Sequence, residues 1–169
     1  MSLPVSWVVS LLAALEPGAP WSDTYEKTAE AIVRVAESDP LYAVEDRGEE
    51  RTASLLVALA WYESRLKPNA KSKNGQWYCL YQIHKSYLNE PDKALNDPEV
   101  CTRAAMKIPK RSVQTCTKRA PDERLAIFMS GVCDRGGAES RSRMYLAKKL
   151  LKEHPVPPAA GGSTTAQTR

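Results

Sequence analysis

The chain has 169 residues, of which 43% are hydrophobic and 26% are charged, so we expect one globular domain with a full core. No apolar run reaches the roughly 18 residues that a membrane-spanning helix needs, so stable membrane insertion is not expected. None of the four cysteines forms a Cys-x-x-Cys pair, which argues against a zinc site, but their even number allows two disulfides outside the reducing cytosol.

The net charge of +4 hides an uneven distribution along the chain. Residues 16–63 carry 11 acidic and 4 basic side chains, whereas residues 103–152 carry 4 acidic and 13 basic ones. A basic half attracts polyanions such as nucleic acid, an anionic cell wall or a membrane surface. The same pattern is equally typical of the solvated surface of helices, so charge alone does not identify the partner.

The first 21 residues have two interpretations. Residues 3–15 are apolar and predict either a first helix that packs on the domain or the core of a weak signal segment. No Lys or Arg precedes this stretch, and no clean small-x-small cleavage site follows it. These two absences favour the packed helix.

Helical periodicity dominates the main domain, predicted at residues 22–154. A capping pattern opens a helix near Asp23, and an apolar stripe carries it to Asp39. The widest apolar surface predicts a central, largely buried helix over residues 49–66, which Pro68 stops. Three further helices are predicted: one opened by Asp97-Pro98, one over residues 121–130 that ends at Gly131, and one over residues 140–152.

Residues 71–83 change from helical to extended character. Asn74-Gly75 is a hairpin turn signal, and the aromatic side chains of Trp77 and Tyr78 favour strands. The pattern predicts a small β-hairpin or extended loop. Residues 155–169 are rich in Pro, Gly, Ser, Thr and Ala, which predicts a disordered tail.

Glu63 is the candidate catalytic residue. It follows Leu59 by four positions and Leu56 by seven, so the three share one helix face. A carboxyl on the apolar face of a core helix is unusual, and apolar surroundings together with the helix C-terminus favour its protonated form. A protonated carboxylic acid can protonate the oxygen of a leaving sugar. The alternative is a side chain that faces solvent or pairs with Arg65 or Lys67.

Four short segments follow one another in the order and spacing of known motifs. Residues 61–70 contain Glu-Ser followed by Pro-x-Ala, and residues 79–83 match Gly-Leu-Met-Gln-Ile at three of five positions. Residues 95–105 contain an Asp-Pro helix opening, and residues 127–131 map onto Ala-Tyr-Asn-x-Gly. Together they resemble the lytic transglycosylases, the soluble-type (SLT) family of the lysozyme-like superfamily, over roughly residues 50–152.

The resemblance implies a mainly α (α+β) fold, in which a lysozyme-like helical domain carries a small β-hairpin region beside the active-site cleft. It implies that Glu63 is the catalytic acid and base. The substrate-binding residues that it implies are Ser64, Tyr81, Gln82, Phe128 and Ser130.

The reaction that the resemblance implies is cleavage of the β-1,4 bond between N-acetylmuramic acid and N-acetylglucosamine in peptidoglycan. Glu63 would protonate the glycosidic oxygen and then take a proton from the C6 hydroxyl, which closes a 1,6-anhydro ring. No metal or organic cofactor is expected. The expected partner is the glycan strand and not nucleic acid. We expect a monomer in the cell wall, the periplasm or the extracellular space, either secreted or delivered by a phage or its virion.

The chain departs from the family motifs in the cleft. Cys79 replaces a glycine, and Phe128 and Met129 replace a tyrosine and an asparagine whose polar groups orient the glutamate and the sugar. Activity is reduced unless another side chain supplies those groups. The candidates are Tyr62, Tyr78, Tyr81 and Ser130.

The family's arrangement also bears on the cysteines. Cys79 and Cys133 follow positions that are neighbours in the family's cleft, which implies the disulfides Cys79–Cys133 and Cys101–Cys116. The alternative is four buried free thiols that behave as small apolar side chains.

Three other functions compete with the lytic transglycosylase. A goose-type lysozyme-like muramidase would hydrolyse the same bond and leave a reducing end. A noncatalytic wall-binding or virion structural protein would fit the poor match at residues 127–131. A helical nucleic-acid binder would use the basic half, but no recognition-helix pattern joins its Lys and Arg residues.

Overall fold

The computed structural model describes residues 2–17 and 23–158. Three helices come first: α1 (Val5–Leu15), α2 (Asp23–Ser38) and α3 (Gly48–Ser64). Two short strands follow, β1 (Trp77–Tyr78) and β2 (Ile83–His84). The remaining helices are α4 (Pro91–Asn96), α5 (Pro98–Thr115), α6 (Ala126–Ser130) and α7 (Gly137–Glu153). The fold is therefore mainly α with one small sheet, as predicted.

The central helix is α3, which packs against α1, α2 and α7. Every residue from Thr52 to Ala60 is buried, which explains why this segment has apolar or small side chains all round. The start of α3 lies tightly against the preceding loop, since a Cβ on Gly48 would lie 2.3 Å from the Tyr42 carbonyl oxygen. The helix thus runs through the core, and its C-terminal end emerges at the surface.

The apolar N-terminal stretch forms α1, which packs against α2 and α3. Its buried side chains are Trp7, Val8, Leu11 and Leu12. The expected boundary at residue 21 lies outside the described residues, as does the part of the expected tail from residue 159 onward. Within residues 2–17 and 23–158, no helix is both long enough and apolar enough to cross a membrane.

Several helix ends follow the predicted signals. The Asp97 carboxylate accepts hydrogen bonds from the backbone N–H groups of Glu99 and Val100 and so caps α5. Gly131 ends α6 with a left-handed φ of 80°. The single helix predicted over residues 121–130 is instead a 3-10 turn (Pro121–Glu123) followed by α6, and α4 was not predicted.

The small sheet reverses direction at a different place from the predicted one. Trp77 pairs with His84 and Tyr78 with Ile83, so the turn between the strands is formed by residues 79–82. The predicted Asn74-Gly75 turn lies just before it, in a loop closed by an antiparallel bridge between Lys71 and Tyr78. The extended segment therefore contains two successive reversals.

The disulfides are Cys79–Cys101 and Cys116–Cys133, with Cα–Cα distances of 6.2 and 5.4 Å. The predicted pairs Cys79–Cys133 and Cys101–Cys116 are therefore wrong. Cys101 lies near the start of α5 and Cys116 caps its end, so about 22 Å of helix separates them at 1.5 Å per residue. A disulfide cannot join Cα atoms more than about 7 Å apart, so one continuous helix excludes that pair.

Candidate active site

A cleft of about 600 Å³ opens where the end of α3 meets the sheet region, α5 and α6. Glu63 of α3 and Ile108 of α5 lie in this cleft, and Ile127–Gly131 of α6 form one wall. The opposite wall comes from the sheet region and is formed by Trp77, Tyr81, Gln82, Ile83, His84 and Tyr87. The structure thus brings Glu63, Tyr81, Gln82, Phe128 and Ser130 together in one cleft.

Glu63 faces the cleft because α3 ends abruptly one residue later. Arg65 and Leu66 both take left-handed backbone conformations, with φ values of 54° and 60°. The Leu66 N–H lies 3.4 Å from the Ala60 carbonyl oxygen, a contact that closes the helix end. The Leu66 side chain is buried, so the chain turns inward just beyond Glu63. The carboxylate therefore stands on the last turn of a rigid core helix.

The polar partner of Glu63 comes from α7. Nη2 of Arg143 lies 3.1 Å from Oε1 of Glu63, and the Arg143 guanidinium covers the Tyr62 ring at 4.4 Å. The alternative expected from the sequence was a pairing with Arg65 or Lys67. Arg65 instead places its guanidinium over the Trp61 ring, 4.5 Å from the centroid.

Tyr81 and Gln82 lie in the sheet wall in different environments. Tyr81 is only 1% exposed, and burial raises the pKa of its hydroxyl above the usual value, with the neighbouring Thr102 opposing the shift. The hydroxyl therefore stays neutral. The half-buried Gln82 has a left-handed φ of 46°, and its amide nitrogen donates to the Cys79 carbonyl at 3.2 Å. This contact fixes the amide at the cleft surface.

The α6 wall presents Phe128 and Ser130. Phe128 is half-buried and brings a ring but no polar group to the cleft. Oγ of Ser130 lies 3.0 Å from three backbone carbonyl oxygens, those of Ala126, Val132 and Arg135. A hydroxyl has one proton to donate, so this side chain is strongly engaged in organising the loop after α6.

Ser64 is the one candidate site residue that does not line the cleft. Its hydroxyl donates to the Ala60 carbonyl at 3.2 Å and accepts from the Lys67 N–H at 3.1 Å. Both bonds close the C-terminal end of α3.

An exposed aromatic edge borders the cleft. Trp77 and Tyr87 are 45% and 47% exposed, which is high for side chains of this size. Trp77 also meets the His84 ring edge-on, with centroids 5.1 Å apart. Trp77 and His84 face each other across the sheet, so a correct strand register would have revealed the pair.

Glu63 is the only carboxylate among the described residues that line the cleft. Asp134 and Glu139, which follow the last motif, are not in its walls. In the same described part of the chain, no cluster of three or more His, Cys, Asp or Glu side chains is arranged to hold a metal ion. Glu63 can give and take a proton in the cleft, and the Arg143 guanidinium is its charged partner.

Comparison with known families gives one match. The family model described as "Transglycosylase SLT domain" matches residues 42–127, about half of the chain. The matched range includes Glu63 and both strands but stops before Phe128 and Arg143. Neither a curated protein nor a solved structure matches the chain.

Proposed function

We propose that this chain, which belongs to the transglycosylase SLT domain family, cuts peptidoglycan glycan strands with Glu63 as its single catalytic acid and base. The observation that carries the proposal is a single carboxylate on the last turn of a buried helix, in a cleft of about 600 Å³. This volume lies within the range of small-ligand sites, so sugar rings can fit against the walls of the cleft.

The reaction needs two proton transfers at one carboxyl group. Glu63 in its acid form gives its proton to the glycosidic oxygen, and the bond between that oxygen and C1 of N-acetylmuramic acid breaks. The resulting Glu63 carboxylate then removes the proton of the C6 hydroxyl on the same sugar. The C6 oxygen bonds to C1, which gives the 1,6-anhydro product. Glu63 ends protonated as it began, and no water is consumed.

The single carboxylate favours this route over hydrolysis. Ordinary glycoside hydrolases use two carboxyl groups, either as acid and nucleophile or as acid and base for water. The described cleft walls offer only Glu63. An intramolecular attack by the C6 hydroxyl needs no second carboxylate, because the nucleophile belongs to the substrate.

The walls suggest how a glycan strand is held. We assign hydrogen bonds with sugar substituents to Gln82 and, as an acceptor at the α6 lip, to Ser130. Trp77 and Phe128 offer ring faces to the apolar sides of sugars. Tyr81 is the buried part of the sheet wall beside Gln82, and Ser64 supports the site by closing the helix end that carries Glu63.

The same proposal places the protein, as a monomer, in the cell wall, the periplasm or the extracellular space, reached by secretion or by phage delivery. Two disulfides form and persist outside the reducing cytosol, which agrees with such a site of action. The basic stretch at residues 103–152 would favour contact with an anionic wall.

The test is digestion of purified peptidoglycan by the wild type and by Glu63→Gln, with mass analysis of the released fragments. Glu90→Gln is the matched control, because Glu90 is an exposed carboxylate paired with Lys93 away from the cleft. We expect 1,6-anhydro fragments from the wild type and the control, and none from Glu63→Gln. Intact wall after wild-type treatment would overturn the enzyme assignment, and reducing ends would favour a muramidase.

A further inference from the structure

The ion pair between Arg143 and Glu63 differs from the other ion pairs of the described residues. Their side chains are 15% and 23% exposed, whereas every other pair has at least one partner that is more than a quarter exposed. Exposed pairs contribute little because water and salt screen them. This pair is largely shielded from solvent and joins two residues that are 80 positions apart in the sequence.

The Arg143 side chain is held by its surroundings. Its guanidinium packs on the Tyr62 ring, and Nη1 lies 3.5 Å from the carbonyl oxygen of Glu139, one turn earlier in α7. Nε is buried and makes no hydrogen bond within the described chain. The restrained guanidinium therefore donates one hydrogen bond to Glu63 and does not form a bidentate pair with it.

The donor chemistry of arginine distinguishes the two oxygens of Glu63. A guanidinium donates hydrogen bonds only and stays protonated at all physiological pH values. Oε1, which receives the N–H of Arg143, must act as an acceptor. The carbonyl oxygen of a carboxylic acid accepts better than its hydroxyl oxygen, so the contact favours Oε2 as the oxygen that carries the proton of Glu63.

We propose that Arg143 is the positioning residue of this site, which fixes Oε1 of Glu63 and thereby assigns both proton transfers to Oε2. The inference rests on the proposed function and adds to it a residue that lies beyond the family match. It also accounts for Phe128, which brings no polar group to the cleft, because the orienting contact comes from α7 instead.

None of the four side chains expected from the sequence makes this contact. Ser130 bonds to backbone carbonyls, and Tyr62 lies under the guanidinium. Tyr78 lies under the Lys71 ammonium and outside the cleft walls. Tyr81 is buried beside Thr102. Arg143 reaches Glu63 because α7 packs along α3. This packing places Arg143, in the middle of α7, beside Glu63 in the last turn of α3.

The experiment compares Arg143→Gln and Arg143→Lys with the wild type on soluble glycan strands, and measures kcat and KM separately. We expect kcat to fall about 100-fold for Arg143→Gln, as for other misplacements of a reacting group, while KM changes less than about twofold. Arg143→Lys keeps a cationic hydrogen-bond donor and should recover about tenfold of that loss. Arg103→Gln, which breaks an exposed pair with Glu99, is the matched control and should leave both constants unchanged.

The outcomes separate this inference from the proposed function. Wild-type activity that is lost in Glu63→Gln but retained in Arg143→Gln overturns the inference alone. A rise in KM at constant kcat also overturns it, since Arg143 would then bind substrate and not position Glu63. An inactive wild type overturns the proposed function and the inference together. Thermal unfolding is recorded for each variant, and if Arg143→Gln does not fold, the kcat of Arg143→Lys decides.

Discussion

The indole nitrogen of Trp7 donates a 2.7 Å hydrogen bond to the backbone carbonyl of His154, 147 positions later in the sequence. Trp7 is only 2% exposed, so this bond joins α1 to the C-terminal end of α7 at a buried point. The contact makes α1 part of the same packed body that carries Glu63 and Arg143.

We therefore expect the N-terminal helix to contribute strongly to stability. Trp7→Ala should lower the free energy of unfolding by roughly 3–5 kcal/mol, because it leaves a large cavity and an unpaired carbonyl. Trp7→Phe keeps most of the packing and should cost about 1 kcal/mol for the lost hydrogen bond. Denaturant unfolding measures both values, and equal stabilities of the wild type and Trp7→Ala would contradict the packing of α1.

Cys79 forms a disulfide and also has a left-handed φ of 59°. This backbone conformation is strained for a residue with a Cβ atom but not for glycine. The two effects can be separated in a Cys101→Ser background, in which no disulfide forms at this position. There Cys79→Gly should be more stable than Cys79→Ala by about 0.5–1 kcal/mol, because the strain that glycine relieves exceeds its cost in backbone entropy. Chemical denaturation of the two double variants measures the difference, and a more stable alanine variant would show that the turn carries no strain.

Trp77 should act in substrate binding and not in folding. Its ring is 45% exposed at the cleft edge, so Trp77→Ala should raise KM about fivefold, roughly 1 kcal/mol of stacking, with kcat little changed. Tyr145→Ala is a suitable control, because Tyr145 is 70% exposed and lies outside the cleft walls. Steady-state kinetics and melting temperatures of both variants provide the readout. Matching losses of melting temperature and activity in Trp77→Ala would instead indicate a structural role.

Glu99 should make the fold sensitive to acid. Hydrogen bonds and charge attraction, first from Arg103 and then from Arg34, hold the pKa of the Glu99 carboxyl below its usual value of 4.5. A carboxyl with a lowered pKa in the folded state stabilises the protein above pH 4.5, and that stability is lost as the pH falls through the folded-state pKa. Glu99→Gln should therefore flatten the fall of stability below pH 4.5. Unfolding curves recorded at several pH values compare it with the wild type, and parallel pH profiles would exclude the effect.

The parts of the fold that the sequence predicted are those governed by local signals. Pro68, Asp97 and Gly131 act on their own neighbours, so the predicted helix ends nearby agree with the structure to within a few residues. Helical spacing alone also places Glu63 on the same helix face as Leu56 and Leu59, both of which are buried.

The parts that escaped prediction depend on contacts between distant segments. Arg143 precedes the buried Met144 in α7, and nothing in its neighbours indicates that it meets Glu63 across the α3–α7 interface. The cysteine pairing failed for a related reason. The length of α5 was not known from its opening signal, and only an unbroken helix from Pro98 to Thr115 keeps Cys101 and Cys116 apart.

That helix has a further consequence, because α5 is anchored covalently near both ends. Cys101 is bonded to Cys79 beside the sheet wall, and Cys116 is bonded to Cys133 just beyond the α6 wall. About 22 Å of helix, at 1.5 Å per residue, therefore separates the two disulfides. In the oxidised protein the turn of the sheet wall and the loop after the α6 wall are both tied to the same helix, which restricts separate movement of the two sides of the cleft.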